Sequence, residues 1–157
     1  MLALLVSTAL AAPDLTVQVD PLTALLGFAH VQVETVLSPR TSLYVGPNLR
    51  LYSAPWAEPE PFRGYGLEAG FRVYPWGAAP KGPYALVRGT GAWLRTNDGQ
   101  HQKFGGYASA LGGYQAILGE RFVLSGALGV NLLRYDIDGM GTRGVLPAAH
   151  TAIGIKI

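Results

Sequence analysis

The chain has 157 residues, of which 49% are apolar and only 14% charged, with a net charge of +2. That length sets one domain, and twelve scattered Lys and Arg build no polyanion-binding patch. The absence of cysteine excludes a disulfide framework, a thiolate metal site and a cysteine nucleophile. Beyond the N-terminus no apolar run reaches the roughly 18 residues of a spanning helix, so any lipid contact must come from strands.

The chain opens on "MLALLVSTALAAPDL", an apolar run ending in Ala9-Leu10-Ala11, a small-x-small pattern that suits signal peptidase. A leader over residues 1 to 11 is expected, with residues 12 to 157 as the exported domain. "LTVQVD" then alternates Leu15, Val17 and Val19 against Thr16, Gln18 and Asp20. A period of two is the signature of a strand whose faces meet different surroundings. A reversal is expected near Pro21 to Gly27.

The same parity runs down the chain. From Gly27 to Leu37, Ala29, Val31, Val33, Thr35 and Leu37 oppose Phe28, His30, Gln32, Glu34 and Val36. From Thr41 to Tyr52, Leu43, Val45, Leu49 and Leu51 oppose Ser42, Tyr44, Asn48 and Arg50. In "GYGLEAGFRVYPWG", Tyr65, Leu67, Ala69, Phe71 and Val73 oppose Gly66, Glu68, Gly70, Arg72 and Tyr74. Further strands are predicted over Tyr84 to Arg95, Gly105 to Leu118, Arg121 to Tyr135 and Arg143 to Ile157. Small residues on both faces of Gly105 to Leu118 leave its facing open. These lengths are near the ~9–11 residues that cross a bilayer at a tilt.

The connections "SPR" and "GER" are tight, whereas "SAPWAEPEPFRG", "TNDGQHQKFG" and "DIDGMGTRG" read as longer loops. Short turns at one end and longer loops at the other fit a bacterial outer-membrane barrel. Counting the "LTVQVD" strand gives eight, an even number as such barrels use. The fold expected is all-β, an eight-stranded antiparallel up-and-down transmembrane β-barrel. Tyr65, Trp76, Tyr84, Trp93 and Tyr135, near strand ends, are predicted to form an interfacial aromatic girdle.

Three stretches, "DPLTALLGFAHVQVETVLSPRTSLYVGP", "GLEAGFRVYP" and "GGYQAILGERFVLSGALGVNLLRY", resemble the small eight-stranded outer-membrane β-barrels of the OmpA/OmpX-like superfamily. The resemblance implies a bacterial outer-membrane location, a belt of outer-membrane lipid, handling by the barrel-assembly machinery, and no particular activity. The terminal Ile157 departs from the aromatic residue on which such barrels usually end.

Eight strands enclose a lumen that side chains just fill. Glu34, Arg50, Glu68, Arg72, Arg88, His30 and His150 are the candidate polar network inside it, Glu34 and Glu68 pairing with Arg50, Arg72 or Arg88, and both histidines hydrogen-bonded. A monomeric, non-catalytic barrel with a plugged lumen follows, acting structurally or through its loops, with no cofactor, metal or nucleic acid. Two alternatives stand beside it. A soluble lipocalin-like barrel would turn the Leu and Val faces inward around an apolar ligand. A lipid-A-modifying barrel enzyme would need a nucleophile within reach of a His, and the His and Ser two apart of the lipid A deacylases are missing, since Thr151 and Ala152 follow His150. "DIDG" at Asp136 to Gly139 lacks the further acids of a calcium loop and reads as a hairpin.

Overall fold

The computed structural model describes residues 14–51, 62–137 and 139–157. The expected leader, Tyr52 and the loop containing Trp56 lie outside the described residues. Among the described residues eight strands follow in chain order: β1 (Leu15–Val19), β2 (Phe28–Ser38), β3 (Thr41–Arg50), β4 (Phe62–Val73), β5 (Gly82–Thr96), β6 (Gln102–Leu118), β7 (Phe122–Ile137) and β8 (Met140–Lys156). One short helix, α1 (Pro21–Leu25), stands between β1 and β2. Each strand pairs antiparallel with its sequence neighbours. The ring closes between β1 and β8, from Thr16↔Lys156 to Val19↔Ile153, giving a closed up-and-down barrel. No described helix is long and apolar enough to cross a membrane.

Alternation decides which side chains enter the lumen, because successive residues of a strand point to opposite faces. On β4, Glu68 and Arg72 point inward, while Tyr65, Leu67, Phe71 and Val73 point outward. On β6, whose facing the sequence leaves open, Ser109, Leu111 and Gln115 are inside and Phe104, Tyr114 and Leu118 outside. The result inverts the usual order of a water-soluble fold. Glu34, Glu68 and Arg72 are 0% exposed, whereas Leu67 is 62% and Leu128 72% exposed.

Several expectations change. Of the five girdle aromatics, Tyr65, Trp76 and Trp93 are exposed, but Tyr84 and Tyr135 are buried in the lumen. Their parity explains it: Tyr84 shares its face of β5 with Leu86 and Arg88, and Tyr135 shares its face of β7 with Val123 and Ser125. "DIDGMGTRG" is not a long loop, since β7 and β8 stay paired through Asp136↔Gly141 to Ile137↔Met140. An Asp-Gly pair is the favoured chemistry of a two-residue hairpin, and Gly139 takes the required positive φ of 79°. β5 and β6 likewise remain paired up to Arg95↔Gln102. The connection at 74–81, on the end holding the termini, is therefore longer than two at the opposite end, and loop length separates the ends less cleanly than the sequence implies. The reversal after β1 is helical because Asp20 caps α1, accepting from the N–H groups of Leu22 and Thr23, with Pro21 at the first helical position.

Inward glycines on β4 make room for rings that cross the lumen. A Cβ on Gly70 would collide with the Tyr44 ring, and one on Gly64 with the Tyr135 hydroxyl. Gly70→Val is expected to destabilise the barrel by about 1–3 kcal/mol through overpacking, read as a lower urea midpoint of tryptophan fluorescence. An unchanged midpoint would mean that Tyr44 does not need that space.

Candidate functional site

Two carboxylates organise the lumen. Glu34, on β2, receives the Arg72 guanidinium from β4 at 2.7 Å. It also accepts from Gln18 at 2.8 Å, Gln115 at 2.9 Å, Tyr74 at 3.1 Å, Thr16 at 3.3 Å and the Ser42 hydroxyl. Donors thus reach one carboxylate from β1, β3, β4, β6 and the segment between β4 and β5. This is the condition under which a fully buried charge is tolerated. Arg72 is held on its other side as well, donating to Gln115 Oε1 at 2.7 Å and lying 5.0 Å from each of the Tyr44 and Tyr84 rings.

Glu68 is the second centre. Arg88 stands 3.4 Å away, and the Tyr44 hydroxyl, at 2.6 Å, the Thr90 hydroxyl, at 2.9 Å, and the Tyr107 hydroxyl donate to it. His150 links the two centres. Its Nε2 lies 3.3 Å from Arg72, and its Nδ1 lies 3.0 Å from Asp20 Oδ2 and 3.1 Å from Arg88. A proton on Nδ1 lets the ring donate to Asp20 and accept from Arg72 at once, and this tautomer satisfies both nitrogens. The ring lies parallel to Tyr44, with centroids 6.3 Å apart.

The structure therefore brings Glu34, Glu68, Arg72, Arg88 and His150 together. His30 lies beside that web without a hydrogen bond to it. It is buried 3.6 Å from Glu68, and neither ring nitrogen has a hydrogen-bond partner, contrary to the expected hydrogen-bonded histidine. Its neighbours on that side include the Tyr44 ring, which is tilted to it at 6.4 Å. Arg50 also sits elsewhere, nearer the loop end, with its guanidinium 4.1 Å from the Phe62 ring and 5.7 Å from Phe28. Lys156, another inward candidate, is partly exposed and pairs with Asp14 at 2.8 Å where the termini meet.

Asp20 is the group the sequence reading missed. One carboxylate caps α1, accepts from the Thr151 hydroxyl at 2.7 Å and holds His150. The available signal was local: an acid followed by proline is an N-cap followed by the favoured first helical residue. An Asp beside a His also begins a hydrolase triad, but the remaining ring nitrogen faces a guanidinium, and the nearby Thr151 hydroxyl is committed to Asp20.

Beyond the plug, toward the loop end, lies a cavity of about 430 Å³. Arg88, Asn48 and Tyr107 line its polar side, and Phe28, Leu133 and Leu146 its apolar side. No group of three or more metal-ligating residues occurs among the described residues. Asp136 of the "DIDG" turn pairs with Lys103 at 2.7 Å. Asp98, in the β5–β6 turn, accepts from the Thr96 hydroxyl and the Gln100 N–H, bonds that hold its carboxyl below the usual range. No family model, curated protein or solved structure matches the chain.

Arg72→Met should destabilise the barrel by about 3–5 kcal/mol, because it leaves the Glu34 charge buried beside neutral donors only. Adding Glu34→Gln should recover part of that loss in a double-mutant cycle of denaturant midpoints. A double variant no more stable than Arg72→Met would show that the neutral donors hold the carboxylate unaided.

Proposed function

We propose that the chain is a monomeric bacterial outer-membrane β-barrel, non-catalytic, with a structural or surface-interaction role and a lumen plugged by side chains in the half nearer the termini. Outer-membrane lipid surrounds it, and the barrel-assembly machinery inserts it. The observation that carries this reading is the inverted burial: acids and bases are enclosed while leucines and valines face out.

The outer surface supports it in detail. Exposed charges lie at two levels, with Arg63, Arg95, Arg134 and Arg143 toward the loop end and Arg40, Lys81 and Arg121 toward the termini. Between them the outward side chains of β4 run uncharged from Tyr65 to Val73. At a rise of ~3.3 Å per residue and a tilt of ~35–45°, that stretch is on the order of the ~25 Å apolar band of such barrels. A contiguous apolar surface of this extent marks contact with lipid or another protein.

Expressed in a Gram-negative host, the full chain should enter the membrane fraction and shift its gel mobility on boiling in detergent. Recovery as a detergent-free periplasmic monomer would overturn the reading. A variant separates lipid from water directly: Leu67→Arg, in mid-belt, should cost about 2–4 kcal/mol in a bilayer. In a barrel surrounded by water the same change would leave stability within experimental error.

A further inference from the structure

The outer face of the barrel carries two like charges side by side at the upper margin of its apolar belt. Arg63 on β4 and Arg95 on β5 are partners in the strand register, and both are exposed. Like charges directly opposite on one face of a sheet repel. Among the described residues neither arginine has a carboxylate within ion-pair distance. A second opposed pair, Arg134 on β7 and Arg143 on β8, is different, because Asp136 stands near enough to both to meet their charge in part.

Arg63, Arg95, Tyr65 and the turn residues 96–99 border a recess of about 300 Å³ on this outer face. The Arg95 guanidinium lies over Gly99, where a Cβ would come within 2.8 Å of its Nη2. Asp98 belongs to the same wall, and its Oδ1 is taken up within the turn by the Thr96 hydroxyl and the Gln100 N–H. One carboxylate against two guanidinia leaves the recess with a net positive charge.

Below the arginines, at the next outward position of each strand, Tyr65 faces Trp93. The two rings are 49% and 63% exposed. From them the outward positions run uncharged to Val73 on β4 and to Ala85 on β5. Exposed amphipathic rings above an apolar belt mark the level where hydrocarbon gives way to headgroups. The arginines stand two residues higher, ~7 Å along the strand, at the level of lipid phosphates.

We infer that Arg63 and Arg95 together hold the phosphate of a membrane lipid in the leaflet at the loop end, with its acyl chains against Tyr65, Trp93 and the belt below. The inference rests on the membrane reading above and names the lipid partner of that surface. A guanidinium is a planar fork that takes two oxygens of one phosphate. A phosphate monoester has three terminal oxygens, so two forks can share one head, and its charge offsets the repulsion between them. A phosphodiester with a choline group offers two such oxygens and brings its own cation to the same place. The continuity of the recess with the aromatic pair favours a lipid over free phosphate.

The test uses the full chain with Trp93 as its sole tryptophan, made by Trp56→Phe and Trp76→Phe, folded in phosphatidylcholine vesicles. Phosphatidate brominated near the head end of its acyl chains should quench Trp93 about fivefold more strongly than equally brominated phosphatidylcholine at the same fraction. Arg63→Gln and Arg95→Gln should each reduce that preference severalfold, and the two together should abolish it, while the heat-dependent mobility shift persists. The preference should survive Arg134→Gln with Arg143→Gln, and should survive millimolar inorganic phosphate in the buffer. Equal quenching by the two lipids in a heat-shifting barrel overturns the inference and leaves the membrane reading intact. Equal loss in the Arg134 and Arg143 double variant overturns it too, since any surface charge would then serve. Displacement by inorganic phosphate identifies a site for the free anion and overturns the lipid. If the chain never reaches the membrane fraction, the membrane reading fails and the inference with it.

Discussion

The buried pair of Glu34 and Arg72 is the constraint on which the interior depends. Both side chains are 0% exposed, and neither can be left without its partner in a space this dry. Meeting that requirement recruits Gln18 from β1, Ser42 from β3 and Gln115 from β6, so one carboxylate draws donors from around the circumference. Since a one-residue slip would turn every inward side chain out, the network also specifies register. The apolar outer face alone specifies it less sharply, because small residues on both faces of β6 tolerate either side.

The division of the lumen into a plugged half and an open half follows from where large side chains enter. Near the termini, Tyr74, Tyr84, Arg72 and Gln115 enter together and leave little space. Toward the loops the inward positions include Gly64 and Gly66 on β4, and into the space this leaves the Tyr135 ring reaches across from β7, packing edge to face with Phe28 at 5.6 Å. The cavity occupies what remains. Its floor is the upper edge of the plug, because Arg88 both pairs with Glu68 and lines the cavity.

Much of this was legible in the sequence, for a physical reason: side-chain direction in a strand depends only on parity. Parity places Glu34, Glu68, Arg72, Arg88 and His150 on inward faces, and the order of eight antiparallel strands follows from counting reversals. Position along a strand is not encoded that way. Tyr84 and Tyr135 were read as interfacial because they lie near predicted strand ends, yet their parity turns them inward. The predicted ends were themselves too short, since β7 and β8 continue through a polar stretch where hairpin pairing needs no apolar face. Parity also says nothing about which polar atoms meet. His30 and His150 both sit on inward faces, but only His150 is hydrogen-bonded, because its partners, Asp20 at the cap of α1 and Arg72 on β4, lie far away in sequence.

The short seam between β1 and β8 was the least legible feature, since it depends on a mismatch in length between the first strand and the last, and each looks ordinary alone. Its consequence is a coupling between seam and plug. Asp20 follows β1, caps α1, and holds His150, which in turn lies against Arg72 and Arg88. Moving α1 away from β8 would break the bonds from Thr151 and His150 to that carboxylate together. It would strip the buried Asp20 carboxylate of two of its donors at once. The position of α1 against the barrel wall is thus set by the same chemistry that closes the lumen beneath it.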